Sequence, residues 1–230
     1  MNKKGTQANE IVLVVAAHPD DEVLGCGGTL ARHAENGDKV HVLILADGET
    51  SRQQAGEVSE RWACADRAAN ILGIRLHKIL GFPDNQLDRI ALLEVVREIE
   101  SAVSQLKPTV VYTHHGGDLN IDHQITCRAV MTACRPLPGS TVNAIYTFET
   151  VSSTEWVVPQ LDPMFIPVRV VDISDTMQKK MAALQCYDAE IRPFPHARSY
   201  EAIEHLARLR GTQSGIKAAE VFGVMRQIWS

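Results

Sequence analysis

The residues that could do chemistry stand in two clusters. The first is His18-Pro19-Asp20-Asp21-Glu22, one imidazole and three carboxylates on a short stretch. The second is His114-His115-Gly116-Gly117-Asp118-Leu119-Asn120-Ile121-Asp122-His123. Histidine nitrogens and carboxylate oxygens without a cysteine suit a divalent ion that keeps an open position, with zinc first and iron or manganese as other acceptable ions. Each cluster alone has a plainer reading. Pro19 with acids behind it suits the first turn of a helix, and Asp118, Asn120 and Asp122 suit turns. Three carboxylates packed on one turn repel, however, unless a cation or solvent relieves them.

Each cluster is delivered by an apolar run. Residues 11–17 form a continuous apolar stretch, as expected of a strand covered on both faces. Residues 109–113 form a second one, after Pro108 ends a helical pattern over 91–106. Between them the sequence predicts a helix over 22–36 stopped by Gly37, a strand over 40–46, a loop over 47–55, a helix over 57–72 and a strand over 75–80. Another helix is expected over 124–133. This alternation predicts an α/β fold, a Rossmann-like three-layer sandwich with a mostly parallel sheet. Such sheets bind ligands beyond the carboxyl ends of their strands, and both clusters fall there. The last third reads as strands over 143–149 and 168–172, a helix capped by Ser174 or Asp175 and running to Ile191, and a helix over 200–210.

Composition narrows the class. With 230 residues, 45% hydrophobic and 22% charged, the chain reads as one globular domain over 1–230, with 1–9 as a flexible tail. A net charge of -5 without a basic block argues against nucleic acid or an anionic membrane surface as partner. No apolar run approaches the ~20 residues of a membrane span. The five cysteines are scattered, with no C-x-x-C spacing, which points to free thiols in a reducing cytoplasm. Gly25, Gly27 and Gly28 do not complete a dinucleotide fingerprint, since Leu30 stands where the third glycine belongs. They are expected to let a helix pack close to the sheet.

The motifs AHPDDEVLGCGGTLA within residues 16–31, Asp47-Gly48-Glu49, Gly81-Phe82-Pro83-Asp84 and DLNIDH at 118–123 resemble the LmbE-like/PIG-L family of zinc-dependent N-acetyl-sugar deacetylases. The stretch 187–198, with Arg192-Pro193-Phe194-Pro195-His196, is similar to bacterial members, so the resemblance covers nearly the whole chain. It implies zinc held by His18, Asp21 and His123, Asp20 as general base, and Asp122 orienting a histidine or the base. It also implies that Arg52 and Asp84 contact sugar hydroxyls. Many relatives carry histidine where this chain has Asn120, which here joins the substrate-facing set; His114, His115 and His196 are the candidates to stand in for the missing imidazole. Arg192, His196 and Arg198 form a basic cluster suited to a phosphate.

The activity so implied is removal of acetyl from an N-acetylated amino sugar, free, nucleotide-linked or lipid-linked. The alternatives are a zinc amidase acting on a sugar–thiol conjugate or another small amide, and a non-catalytic sugar-binding protein of the same fold. The resemblance further implies homo-oligomers, trimers or hexamers, for which the apolar segment 156–166 is the candidate surface.

Overall fold

The computed structural model describes residues 9–51 and 58–229. Strands β1 (Ile11–Ala16), β2 (Lys39–Ala46), β3 (Arg75–Phe82), β4 (Val110–His114) and β5 (Ala144–Phe148) run parallel. Two more, β6 (Arg169–Asp172) and β7 (Ala219–Gln227), complete a seven-stranded sheet in the order β3-β2-β1-β4-β5-β7-β6. The β7 strand runs antiparallel to both of its neighbours. The α/β architecture with a mostly parallel sheet is the one the alternating pattern implies.

Why the parallel strands read as unbroken apolar runs is visible in β1. Successive side chains of a strand point to opposite faces. Val12, Val14 and Ala16 pack into the layer of α1 (Asp21–Glu35), α2 (Val58–Leu72), α5 (Met177–Leu184) and α6 (Tyr200–Thr212). Leu13 and Val15 pack into the layer of α3 (Leu92–Leu106) and α4 (Ile121–Ala133). All five are fully buried, each large side chain contributing about 1.5–3 kcal/mol. From β1 the chain winds outward through β2 and β3, whereas β4 starts on the other side of β1 and leads to β5. The β1/β4 border is therefore the switch point of the sheet, where open α/β sheets form ligand crevices.

The helix after β1 is bent. Cys26 leaves helical geometry at φ −149°, ψ 17°, and the backbone groups freed by the bend are met by a buried ion pair. Glu220 on β7 accepts from the N–H groups of Gly28 (3.0 Å) and Thr29 (2.7 Å). Lys180 on α5 donates to the Leu24 carbonyl (2.8 Å) and to Glu220 (2.6 Å). In a regular helix Gly28 N–H would bond to Leu24 C=O; here the Lys180–Glu220 pair is inserted between them, a recognised cause of a sharp kink. The glycines permit the bend to sit against the sheet: a Cβ on Gly25 would overlap the Phe148 ring, and one on Gly28 would lie 2.9 Å from Ile173.

Three expectations change in the last third. The β7 strand carries Glu220, Gly223, Arg226 and Gln227 among its apolar residues, so no clean pattern announces it. Helix α5 begins after Thr176, not after Ser174 or Asp175: the Ser174 hydroxyl turns back to Asp172 (2.5 Å), while Thr176 donates to the Gly28 carbonyl (2.8 Å). The same helix ends at Leu184 and tightens into a 3₁₀ segment over Gln185–Glu190, which carries the buried Tyr187 hydroxyl to Glu22 (2.7 Å). No helix among the described residues is long and apolar enough to cross a membrane.

Candidate metal centre and active site

The first motif turns sharply as it leaves β1. Asp20 is the residue before α1 and sits at φ 122°, ψ −28°, a left-handed conformation costly for a residue with a Cβ. Three contacts hold it there. Its carbonyl accepts from Val23 (3.0 Å) and Leu24 (2.9 Å), and its N–H donates to Glu22 Oε2 (3.1 Å). Glu22 is itself fixed by Tyr187, and burial lifts its carboxyl to about 7 against that hydrogen bond.

Three side chains converge across the switch point: His18 and Asp21 from the β1–α1 turn, and His123 from the first turn of α4. Each is buried, and each offers a ligand atom within 4.8 Å of the other two. His18 Nδ1 lies 3.2 Å from Asp21 Oδ2, and His123 Nε2 lies 3.4 Å from the same oxygen. Asp21 Oδ1 and both ring nitrogens of His123 are buried without a well-formed hydrogen bond. Orphaned buried polar atoms are costly. Orphaned atoms on two members of one buried His/Asp/His group fit a divalent cation with an open coordination position.

The far nitrogen of each histidine lies within ion-pair distance of a carboxylate, the arrangement that metal-bound imidazoles use. His18 Nε2 faces Asp84 Oδ1 and Asp122 Oδ2, each at 3.0 Å, so Nδ1 is the atom left for the cation. The same three residues make a second group of metal-ligating types, but both carboxylates stand at hydrogen-bond distance from the one ring nitrogen, and no buried atom of the three is orphaned. Asp122 is fixed in turn by the Leu87 N–H (3.0 Å). His123 Nδ1 lies 3.1 Å from Asp118 Oδ1. Burial would raise Asp118, yet His123 and the hydroxyls of Ser153 and Thr154 outweigh it and draw its carboxyl down to about 2. Asp122 thus lies against His18 Nε2, where it could orient that ring. Asp118 lies in the same way against His123 Nδ1, although its sequence context reads only as turn chemistry.

Asp20 lies beside this group without belonging to it. Burial pushes its carboxyl up to about 6, opposed by the Arg198 guanidinium, whose Nη1 lies 3.1 Å from Oδ2. Arg198, grouped by sequence with a phosphate-binding cluster, is therefore turned inward onto Asp20. His196 stays on the exposed rim, where Nδ1 accepts from the Arg198 N–H (3.0 Å) and the ring meets Trp156 edge-on at 6.3 Å.

Asn120 is committed at both ends of its amide. Oδ1 caps α4 by accepting from Asp122 N–H (2.8 Å), and Nδ2 donates to Asn85 (3.1 Å). Asp84 is buried, takes the Ser51 hydroxyl, and donates its N–H to Thr50 Oγ1 (2.8 Å). Arg52 lies outside the described residues. Among the three histidines considered as replacements at the Asn120 position, His114 alone enters the ligand cluster. It stacks on His123 at 3.8 Å, and its Nε2 accepts from Ala17 N–H (2.9 Å). His115 is spent on the Pro163 carbonyl (2.8 Å).

Residues 13–134 match the model of the PIG-L family, described as GlcNAc-PI de-N-acetylase. The chain is 32% identical over 157 residues to "Uncharacterized deacetylase YaiS" of Escherichia coli K12, covering 65% of this chain and 79% of that protein. It is 26% identical to the "Probable N-acetyl-alpha-D-glucosaminyl L-malate deacetylase 2" of Bacillus anthracis, over 78% of this chain and 80% of that one. In three dimensions it is similar to GalB of Pseudomonas putida KT2440, a 4-carboxy-2-hydroxymuconate hydratase, with TM-score 0.78, 24% identity and coverage of 96% of this chain and 98% of that one. At that identity the likeness speaks for the fold alone. The family match spans β1 through α4 and so contains both strand ends that deliver the His/Asp groups. This chain belongs to the PIG-L family of deacetylases.

Proposed function

We propose that this chain is a zinc-dependent hydrolase that removes the acetyl group from an N-acetylated amino sugar, releasing acetate and the free amine. The observation that carries this reading is the buried His18/Asp21/His123 group, with Asp21 Oδ1 and His123 Nε2 orphaned beside the separately held Asp20. Bound to these three residues, zinc supplies an activated water and polarises the amide carbonyl.

The chain's own residues supply the rest. Asp20, outside the ligand set, takes the proton from the attacking water and passes it to the nitrogen of the departing amine. Arg198 keeps the Asp20 carboxylate in place, and Glu22 with Tyr187 holds the strained turn that presents it. Asp84 and Asp122 fix His18; Asp118 fixes His123. Asp84, Arg52 and the rim residue His196 are the groups we assign to the sugar. The family description and the Bacillus relative, both naming N-acetylglucosamine derivatives, support an amino sugar as the substrate class. Unpaired cysteines suit a cytoplasmic site of action. Leu161 and Ile166, 79% and 73% exposed, make segment 156–166 the surface we assign to contact between copies.

The experiment is acetate release from a panel of N-acetylglucosamine conjugates, with zinc content measured on the same samples, for wild type and Asp20→Asn. Release that vanishes in the variant while zinc stays bound supports the reading. Zinc bound with no acetate from any sugar moves the assignment to another small amide, a sugar–thiol conjugate first.

A further inference from the structure

One short segment touches several parts of the centre. The residues after β5, 150–154, reach three separate parts of it. Thr150 Oγ1 lies 3.3 Å from His114 Nδ1. Ser152 Oγ accepts from Arg198 Nε at 2.7 Å, and the same guanidinium bonds to Asp20 through Nη1 at 3.1 Å. The hydroxyls of Ser153 and Thr154 both donate to Asp118, Thr154 at 2.5 Å, and Asp118 Oδ1 lies 3.1 Å from His123 Nδ1.

We propose that Ser152 and Thr154 are positioning residues, Ser152 setting the base Asp20 through Arg198 and Thr154 setting the metal ligand His123 through Asp118. Two features separate this role from ordinary loop structure. Ser152 occupies φ 64°, where a glycine would sit without strain; the chain instead carries a serine whose hydroxyl holds Arg198. Ser153 and Thr154 are each only 4% exposed. Their buried hydroxyls need partners, and both give their protons to the carboxylate behind His123. With the Asn120 N–H as a third donor (2.9 Å), Asp118 is held at both oxygens: Ser153 and Asn120 on Oδ1, which also faces His123, and Thr154 on Oδ2. A locked carboxylate fixes the ring orientation of a metal-bound imidazole and raises its basicity. The two arms are independent, so one segment tunes metal retention and base placement separately. The Asp20 arm rests on the deacetylase reading above; the His123 arm needs only a metal at the His/Asp/His group.

The test uses Thr154→Val, which removes the hydroxyl at nearly constant shape, Thr154→Ser, which keeps it, and Ser152→Ala. Zinc affinity is measured on the full chain without substrate, by competition with a chromophoric chelator. Values of kcat and KM are then taken at saturating zinc, on an acetamido sugar that the wild type hydrolyses. Thr154→Val should weaken zinc by about 10- to 100-fold, the range for lost outer-shell partners, and Thr154→Ser should restore it. Ser152→Ala should leave zinc affinity at the wild-type value and lower kcat with KM unchanged. Wild-type zinc affinity in Thr154→Val, or failure of Thr154→Ser to rescue it, overturns the His123 arm. An unchanged kcat in Ser152→Ala overturns the Asp20 arm. Should Thr154→Val not fold, Asp118→Asn gives the same zinc comparison. If the wild type hydrolyses no acetamide, the functional reading fails, and the zinc series still decides the positioning of His123.

Discussion

Arg198 and Asp20 are 178 positions apart in the chain and 3.1 Å apart in space, Nη1 to Oδ2. The guanidinium comes from the loop before α6, and the carboxylate from the strained turn after β1. The base of the proposed reaction is therefore assembled from both ends of the fold, and its removal should be separable from loss of the metal. Asp20→Asn should lower kcat by about 10²- to 10⁴-fold, the usual worth of a general base. Zinc content measured by atomic absorption should stay at the wild-type value.

His18→Ala should remove metal and activity together. It deletes one of the three proposed ligands and strands Asp84 and Asp122 without the imidazole they share. Chelation of the wild type should do the same reversibly, with activity returning on addition of zinc. Because the ion binds only the folded chain, zinc at 100 times its dissociation constant should stabilise the protein by about 2.7 kcal/mol. A thermal melt that does not move between chelated and zinc-loaded samples would count against this metal site.

Lys180→Met should be among the most destabilising single changes outside the centre. It leaves the Glu220 carboxylate buried without its cation and the Leu24 carbonyl without its donor. Removing one partner of a buried ion pair costs about 3–5 kcal/mol. Glu220→Gln, which keeps an acceptor for Gly28 or Thr29, should cost less. Chemical denaturation of the two variants side by side checks the order.

Gly25→Ala tests the close approach of α1 to the sheet. Its added methyl would overlap the Phe148 ring, and overpacking of this kind costs about 1–3 kcal/mol. Phe148→Leu in the Gly25→Ala background should recover part of the loss. If the two changes simply add, as unconnected sites do, the packing account is wrong.

What the sequence made legible was whatever leaves a local mark. Residues 11–16 announce a doubly covered strand by being apolar at every position, and His18-Pro19-Asp20-Asp21 announces a site because like charges crowd one turn. Gly25 and Gly28 were readable as close-packing residues for the same local reason. Asp118 was visible but misplaced in importance: its alternation with Asn120 and Asp122 looks like turn chemistry, and only the fold brings Ser153 and Thr154 onto it. Arg198 was visible too, but as a free basic residue; its partner is set by tertiary packing that no local pattern encodes. Strand β7 was not readable, because Glu220 and Arg226 break its apolar pattern. Glu220 is there to serve helix α1, and Arg226 reaches the carbonyls of Cys134 (2.7 Å) and Val142 (3.2 Å).

The inserted Lys180–Glu220 pair also imposes an order in time. A ribosome releases the His18–Asp21 turn and helix α1 first, yet the N–H groups of Gly28 and Thr29 find their acceptor only when residue 220 has been made. Residue 198, which holds Asp20, also comes late. A chain cut short before β7 would carry every proposed metal ligand but would lack the acceptor for the Gly28 and Thr29 N–H groups of α1. The expected outcome is that truncation before β7 weakens metal retention although all three proposed ligands remain in the chain.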